Sequence, residues 1–255
     1  MVTTSRQLID EQIGKYRADG YLVVHDLISP EEAAAFIRHA DVLVAPDFGL
    51  LGHASDPQYR YLAHHPVAAG IVAQLLEGPA RIVQTMYLNK SAQGGQGIAL
   101  HQDTLYLPNE PNTLMACWIA LTDTDPENGG LCVAPGNQRG GVRTAHKNEN
   151  SAEHASWDLE YPMRDPDGRE WTQKMFSFEI DDVPPEQIVR LTVPCGGAVF
   201  FSGTTIHGSY ANRSSDRPRK AFATHYVREG TWLFRQDVQN TVPVGVYDGS
   251  LERLR

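Results

Sequence analysis

The sequence predicts a mainly β, jelly-roll domain with helices in its N-terminal part. Helical apolar spacing is confined to about residues 1–80, and from there to about residue 230 short apolar segments alternate with turn signals. The chain has 255 residues, a length at which a single barrel or sandwich is common, and neither an internal repeat nor a linker interrupts it. We therefore expect one domain over residues 1–255, with a helical part over 1–80 and a jelly-roll core over 81–230.

The helical part is predicted from apolar residues spaced three or four positions apart. The second helix has the clearest start, because Ser29 suits the N-cap, Pro30 the first turn and Glu32 the closing position of a capping box. The expected elements are a helix over residues 5–17, a strand over 21–24, a helix with its body over 33–44 and a helix over 66–76.

The core is predicted from eight short β-forming segments, enough for the two sheets of a jelly roll. Turn residues separate them, as in Asp125–Gly130, where Pro and Gly supply the dihedral angles of a chain reversal. The strands are expected near residues 81–89, 98–103, 114–122, 130–134, 188–194, 197–201, 205–210 and 220–227.

Residues 140–187 form one long polar stretch to which no strand is assigned. Aromatic residues such as Trp157, Tyr161 and Trp171 are scattered through it. Loops of this length in compact domains are usually functional or disordered. Two interpretations stay open: an ordered lid over the site, or a surface excursion that packs its own aromatic residues.

Composition and charge narrow the class of partner. The formal net charge of -9 disfavours nucleic acid, which is bound by clustered Lys and Arg, and favours a neutral or cationic small-molecule substrate. The N-terminus shows no secretory signal and no apolar run approaches bilayer length, so we expect a cytoplasmic protein without membrane contact. Cys117, Cys132 and Cys195 lie in or beside apolar segments and are interpreted as packing residues.

His101, Asp103 and His207 form the strongest candidate for a functional site. His101 and Asp103 are two residues apart, so on a strand both side chains point to one face. His207 follows the apolar run Gly197–Phe201, which predicts a buried strand. Two imidazoles and one carboxylate make the facial triad of non-haem Fe(II) oxygenases, with positions left for a co-substrate and O2. The alternative is a pair of hydrogen-bonded surface histidines.

Several segments, in this order and over most of the chain, resemble the phytanoyl-CoA dioxygenase family of Fe(II)/2-oxoglutarate-dependent oxygenases. The segments are Lys15–Val24, Thr85–Lys90, His101–Asp103, Trp118, Glu127–Gly136, His207–Ser209 and Arg219–Ala221. The resemblance implies a double-stranded β-helix, the cupin-like form of the jelly roll, with N-terminal helices. It also implies that His101, Asp103 and His207 are the iron ligands.

The resemblance further indicates which residues bind 2-oxoglutarate. Family members hold its distal carboxylate with an Arg beyond the second His and a hydroxyl two residues after that His; here these are Arg219 and Ser209. Arg217 stays an alternative, because the family usually has one residue fewer between that His and the Arg. A guanidinium also suits this task, since it can meet both carboxylate oxygens at once. Trp118 and Met86 match positions beside the co-substrate, and for both the other interpretation is core packing.

The implied activity is that of a dioxygenase that uses Fe(II), 2-oxoglutarate and O2 to oxidise a substrate C–H bond. The carboxylate of Asp103 disfavours chlorination, because halogenating relatives have a small residue there. We favour a natural-product tailoring step in antibiotic biosynthesis, either hydroxylation or oxidative ring closure, on a sugar-containing or aminoglycoside-type compound. The alternatives are a hydroxylase of an acyl-CoA or compatible solute, a cupin-like metal-binding protein without 2-oxoglutarate chemistry, and a non-catalytic module that kept the fold.

Overall fold

The computed structural model describes residues 7–43, 49–150 and 152–245. Within these ranges, two antiparallel sheets form the core and five α-helices precede most of it. The helices are α1 (Asp10–Asp19), α2 (Pro30–Ala40), α3 (Gly52–Ser55), α4 (Pro57–Ala63) and α5 (Pro66–Leu75). The strands are β1 (Tyr21–Val24), β2 (Ala80–Lys90), β3 (Ile98–His101), β4 (Asn109–Glu110), β5 (Met115–Ala120), β6 (Leu131–Val133), β7 (His146–Lys147), β8 (Asp158–Arg164), β9 (Glu170–Phe176), β10 (Phe178–Glu179), β11 (Val189–Arg190), β12 (Ala198–Ser202), β13 (His207–Ser209), β14 (Arg219–Arg228), β15 (Trp232–Leu233) and β16 (Val242–Pro243).

The two core sheets are stacked as in a jelly roll. The larger sheet has the strand order β1-β12-β5-β14-β2-β16, and the smaller sheet has the order β11-β6-β13-β3. Successive side chains of a strand point to opposite faces. In β14, Phe222 therefore packs under the helices, whereas Ala221 and Ala223 join Leu131 and Val133 of β6 in the cluster between the sheets.

The helices cover the outer face of the larger sheet. The rings of Phe36 in α2 and Tyr59 in α4 lie 5.0 Å and 5.5 Å from that of Phe222, centroid to centroid. Helix α2 begins with the predicted capping box, in which Ser29 Oγ accepts from the Glu32 backbone N–H and Glu32 Oε2 accepts from the Ser29 backbone N–H. Across the described ranges, no helix combines the length and apolar character needed to cross a bilayer.

All but one of the predicted strands lie within two residues of the expected bounds. The exception is the strand expected over 188–194, which shortens to β11, because beyond it only an isolated bridge joins Val193 to Thr124. The helix expected over 5–17 is α1, which continues to Asp19 because Gly20 caps it at a φ of 82°. Residues 5 and 6 of that expected helix lie outside the described residues. The helix expected over 33–44 is α2, which ends at Ala40, and residue 44 lies outside the described residues.

Helices α3 and α4, the strands within residues 140–187 and the short strands β4, β15 and β16 were not predicted from the sequence. Helix α4 carried a usable signal, since Asp56 caps it by accepting from the backbone N–H groups of Gln58 and Tyr59. The expectation that 140–187 contains no strands is wrong, because β8 and β9 form a hairpin there. A signal was present, because Leu159, Tyr161 and Met163 occupy alternate positions in β8. Met163 and Met175 are buried on this face of the hairpin, whereas the opposite face is mostly exposed.

The segment 140–187 is attached to the jelly roll at several places. The Phe178 backbone N–H donates to Tyr106 Oη at 2.8 Å, and the Ala155 N–H donates to the Gly97 carbonyl at 2.9 Å. The Arg164 N–H donates to the Phe234 carbonyl at 2.8 Å. The first two bonds, with that from the Ile180 N–H to the Leu100 carbonyl, place the segment beside β3, the edge strand of the smaller sheet, which carries His101.

Candidate metal centre

The two histidines of the predicted triad lie opposite each other on adjacent strands. His101 of β3 and His207 of β13 are register partners, and their ring centroids are 4.3 Å apart. Strand β3 ends at His101, so Asp103 opens a short 3-10 helix rather than continuing the strand. This turn brings Asp103 Oδ1 to 3.5 Å from His101 Nε2 and 3.7 Å from His207 Nε2. The three side chains therefore converge as expected, but Asp103 lies in a 3-10 turn and not on a strand as predicted.

Backbone carbonyls fix the tautomers of both imidazoles. His101 Nδ1 donates to the Ala99 carbonyl at 2.8 Å, and His207 Nδ1 donates to the Thr205 carbonyl at 3.0 Å. A carbonyl only accepts, so the proton lies on Nδ1 and each Nε2 keeps its lone pair for a metal. Burial lowers the pKa of His207 to about 4, which keeps this imidazole neutral at physiological pH.

Gln102, Thr104 and Tyr106 are close in sequence to His101 and Asp103, which suggests that they fix the imidazole tautomers. In the structure they make other contacts. Gln102 Nε2 donates to the carbonyls of Thr204 and Gly141, and so ties the loop after β12 to the segment 140–187. Thr104 Oγ1 donates to Asn112 Oδ1 at 3.3 Å. The ring of Tyr106 packs edge-on against His101, with centroids 5.4 Å apart. The suggestion is wrong because the backbone carbonyls two residues before each His occupy the Nδ1 positions.

Asp103 is held in its charged form by its neighbours. Its own burial raises the pKa, but the imidazoles of His207 and His225, with the hydrogen bond from His225 Nε2, outweigh burial and hold that pKa well below its usual range. His225 Nε2 lies 3.0 Å from Asp103 Oδ2, and Gln84 Nε2 lies 3.2 Å from His225 Nδ1. Nothing in the sequence distinguishes Gln84 from other polar residues of a strand.

A pair of buried basic side chains, Lys90 and Arg219, lies beyond the triad; we call it the cation pair, because an anionic ligand would favour the protonated form of both. The two residues are register partners on β2 and β14. Lys90 Nζ donates to Ser209 Oγ at 2.8 Å and to the Tyr210 carbonyl at 2.6 Å. Arg219 Nε donates to the Gly129 carbonyl at 3.1 Å, while its Nη1 is buried with no hydrogen-bond partner among the described residues.

No protein carboxylate is paired with this cation pair within the described chain. Burial, followed by repulsion from Arg219, lowers the pKa of Lys90 to about 6, and burial lowers the pKa of Arg219 to about 10. Buried charges without a counter-charge are costly, so the pair is suited to an anionic ligand. Lys90 belonged to a segment that carries the family resemblance, but the sequence analysis gave it no role.

The backbone at Gly129 allows this arrangement. Gly129 has a φ of 89°, and a Cβ there would lie 2.9 Å from the Tyr210 carbonyl and 3.0 Å from Lys90 Cδ. Only glycine fits both conditions without strain, so the predicted turn Asp125–Gly130 is also what presents the carbonyl to Arg219.

Arg217, the alternative to Arg219, lies outside this arrangement. Its Nη1 is 2.5 Å from Asp125 Oδ2 and its Nη2 is 2.6 Å from Glu127 Oε2, in a partly exposed ion-pair cluster. Its charge is therefore already compensated. Ser209, Trp118 and Met86 line the same cavity as Arg219, and the Arg219 guanidinium carbon lies 5.7 Å from the centroid of the Trp118 indole.

One cavity of about 570 Å³ joins the triad to the cation pair. This volume suits a small-molecule ligand. Its far wall contains Tyr106 and Leu107, together with Trp157 and Tyr161 of the segment 140–187. Of its lining residues in the described chain, Asp103 alone carries a carboxylate.

The triad fits a divalent metal ion that accepts nitrogen and oxygen ligands. One ligand atom from each of His101, Asp103 and His207 lies within 4.8 Å of the others, and all three residues are buried. Two ligands at about 2.1 Å from an ion and at right angles are about 3 Å apart, close to the distances between Asp103 and the imidazoles. A second group, His146, Glu179 and Asp181, meets the distance condition but is mostly exposed.

Comparison with known proteins supports this interpretation. The family model described as "Phytanoyl-CoA dioxygenase (PhyH)" matches residues 16–221. Mouse phytanoyl-CoA dioxygenase domain-containing protein 1 is 30% identical over 218 residues, which cover 79% of this chain and 68% of that protein.

Solved structures confirm the predicted double-stranded β-helix. The 2-oxoglutarate-dependent carbocyclase SnoK from nogalamycin biosynthesis superposes with a TM-score of 0.68 at 24% identity, covering 93% of this chain and 90% of its own. The epimerase SnoN, solved with Fe3+, α-ketoglutarate and nogalamycin RO, gives a TM-score of 0.67 at 20% identity, covering 89% of this chain and 86% of its own.

Proposed function

The chain belongs to the phytanoyl-CoA dioxygenase family of iron- and 2-oxoglutarate-dependent enzymes and is a dioxygenase, and on that premise we propose that it oxidises a C–H bond of a small, neutral, hydroxyl-bearing molecule. We infer a natural-product tailoring step, either hydroxylation or oxidative ring closure. The observation that carries the proposal is the single cavity with the triad at one end and a buried, uncompensated cation pair at the other.

In this proposal the chain's own residues bind and orient the reactants. His101, His207 and Asp103 hold Fe(II) through Nε2, Nε2 and Oδ1. The bound metal and 2-oxoglutarate supply the oxidation of an unactivated C–H bond by O2, with succinate and CO2 as the other products. The surrounding apolar wall excludes water and fixes which C–H bond of the substrate lies nearest the metal.

The co-substrate is proposed to span the distance from the triad to the cation pair. Arg219 Nη1, which lacks a partner, is available to a distal carboxylate, and Lys90 Nζ and Ser209 Oγ lie beside it. Trp118 forms the floor under the guanidinium, and Met86 lines the same wall. A carboxylate at this position would supply the counter-charge that the cation pair lacks.

The charge of the lining favours a neutral substrate over the cationic one that the net charge also allowed. Apart from the proposed ligand Asp103, the described lining offers no carboxylate to an ammonium group, and the positive end of the cavity opposes one. The net charge of -9 therefore resides elsewhere on the protein and does not describe the pocket.

A buried acceptor favours a substrate with a hydroxyl group. Gln84 lines the cavity, and its Oε1 is buried without a hydrogen-bond partner in the described chain. The 2-oxoglutarate dianion carries acceptors only, so it cannot satisfy this oxygen. A hydroxyl on the substrate would do so, and buried polar groups of proteins are normally satisfied.

The aromatic wall supports a sugar-containing or polycyclic substrate, and with it the interpretation of residues 140–187 as a lid. Tyr106, Trp157 and Tyr161 present ring surface to the cavity, against which the apolar faces of a sugar or an aromatic polycycle can pack. SnoK and SnoN, which share this fold, are described as enzymes of nogalamycin biosynthesis.

The proposal is tested first without a substrate. Fe(II) and then 2-oxoglutarate are added anaerobically to metal-free protein, and the visible charge-transfer band of the chelate is recorded, with the double variant His101→Ala/His207→Ala as the matched control. The band should appear only in the wild type. Bound iron without this band would refute the 2-oxoglutarate step and favour the cupin-like alternative.

The substrate class is then tested by succinate formation under air with three sets of compounds: neutral glycosylated polyketides, acyl-CoA thioesters and zwitterionic compatible solutes. We expect stimulation by the first set alone, and we expect Trp157→Ala to weaken it without changing the 2-oxoglutarate requirement. Stimulation by an acyl-CoA or a compatible solute instead would overturn the tailoring proposal while leaving the dioxygenase reaction intact.

A further inference from the structure

Three buried side chains form a hydrogen-bonded chain that ends on the proposed metal ligand Asp103. Gln84 Nε2 lies 3.2 Å from His225 Nδ1, and His225 Nε2 lies 3.0 Å from Asp103 Oδ2. Gln84 and His225 are register partners on β2 and β14, whereas Asp103 belongs to the 3-10 turn after β3. All three are at most 7% exposed.

The amide of Gln84 determines which atoms donate and which accept along this series of hydrogen bonds. The amide N–H of Gln84 donates, so His225 Nδ1 must accept. A neutral imidazole that accepts at Nδ1 carries its proton on Nε2, and that N–H donates to Asp103 Oδ2. The reversed Gln84 amide would require a proton on Nδ1 and would set the Nε2 lone pair of a neutral ring against a carboxylate.

The consequence for Asp103 is that its two oxygens have different tasks. Oδ2 is engaged by His225, and Oδ1 lies 3.5 Å from His101 Nε2 and 3.7 Å from His207 Nε2. A carboxylate free to rotate could offer either oxygen or both to a metal. Groups that hydrogen-bond a ligand from behind orient it, and their loss typically costs tenfold to a hundredfold in metal affinity.

We propose that Gln84 and His225 are positioning residues, which act as a relay that holds Asp103 in a one-oxygen orientation toward the metal. The relay rests on the proposed metal role of Asp103 and is independent of the identity of the substrate. It assigns a reason for a glutamine and a histidine in a cavity wall that is otherwise mostly apolar and aromatic.

The test measures metal binding by the whole chain, with Co(II) as an oxygen-insensitive probe whose visible absorption reports coordination geometry. Gln84→Leu and His225→Ala should each weaken Co(II) binding about tenfold or more and alter the shape of the absorption bands. His225→Gln keeps an N–H donor for Asp103 and should bind Co(II) more tightly than His225→Ala. Thr85→Val is the matched control, because Thr85 is buried next to Gln84 in β2 and points to the opposite face.

The double variant Gln84→Leu/His225→Ala decides whether the residues act in series. If Gln84 acts through His225, the double variant should lose no more affinity than His225→Ala alone. Three results would overturn the relay. They are additive losses of Co(II) affinity in the double variant, Co(II) affinity and bands like the wild type in both single variants, or an equal loss of affinity in Thr85→Val. Failure of the wild type to bind Co(II) would instead overturn the proposed metal centre, so the two failures are distinguishable.

Discussion

His101 and His207, which are far apart in the chain, are direct register partners on β3 and β13, with ring centroids 4.3 Å apart. The sheet therefore fixes the separation of the two imidazoles before any ligand binds. Their Nδ1 atoms donate to the backbone carbonyls two residues before them, so the orientation of each ring is also fixed by the backbone. A site of this kind is preorganised, and its function should be sensitive to loss of any one member.

Removal of one triad member is expected to abolish metal-dependent turnover. His101→Ala or Asp103→Ala leaves two ligands, which is too few for the facial arrangement that the proposal requires. The measurement is Co(II) binding together with succinate formation from 2-oxoglutarate. The control is His146→Ala, which removes a member of the exposed group with Glu179 and Asp181 and should change neither readout. Equal losses in both variants would locate the metal elsewhere.

Arg219→Ala should raise the KM for 2-oxoglutarate about tenfold to a hundredfold, because a hydrogen bond to a charged group contributes about 1.5–3 kcal/mol. Co(II) affinity should stay unchanged, since Arg219 does not contact the triad. The matched control is Arg217→Ala, two residues away and engaged by Asp125 and Glu127 on the surface. A larger effect of Arg217→Ala on the KM would exchange the proposed roles of the two arginines.

Lys90→Met is expected to stabilise the ligand-free protein and to weaken 2-oxoglutarate binding. The pKa of Lys90 is lowered to about 6 in the folded protein, from an ordinary value of 10.5. Between these pH values the unfolded chain binds more protons, so wild-type stability rises with pH across this window. The stability advantage of Lys90→Met should be largest near pH 6 and should vanish near pH 10.5, as measured by urea unfolding at a series of pH values.

The same lysine predicts the pH dependence of co-substrate affinity. An anion beside Lys90 favours the protonated amine, so binding takes up a proton above about pH 6 and wild-type affinity for 2-oxoglutarate should fall as the pH rises. The Lys90→Met variant should bind 2-oxoglutarate more weakly than the wild type at pH 6, and its affinity should depend less on pH. Isothermal titration of the Co(II) protein with 2-oxoglutarate in buffers of different ionisation enthalpy measures the proton uptake directly. No proton uptake by the wild type would argue against contact between Lys90 and the co-substrate.

Ser29→Ala should lower the free energy of unfolding by about 1 kcal/mol, because it removes the side chain that caps α2. In a chain of this size, that loss corresponds to a decrease of about 2–4 °C in Tm. Co(II) binding should be unchanged, since α2 packs on the outer face of the larger sheet. Ser215→Ala, at an exposed position, is the control and should leave Tm within experimental error.

The sequence alone was sufficient to predict the jelly roll and to select the triad residues, because both depend on patterns within short segments. Strands such as β5 and β12 are apolar runs between turn residues, and their bounds need no knowledge of their neighbours. His101 and Asp103 are close in sequence and carry their chemistry in their residue types. The hairpin β8–β9 was missed although Leu159, Tyr161 and Met163 occupy alternate positions in β8, because polar residues dominate the surrounding segment.

The tertiary structure decided which polar residues join the site. Gln84 and Lys90 are ordinary polar residues in the sequence of β2, and only the antiparallel register with β14 sets them opposite His225 and Arg219. Side chains of register partners are held about 5 Å apart, so one strand pair supplies both the relay to Asp103 and the cation pair. Register depends on the pairing of strands distant in sequence. Residue types alone therefore indicate the proposed metal ligands, but not the groups proposed to orient them.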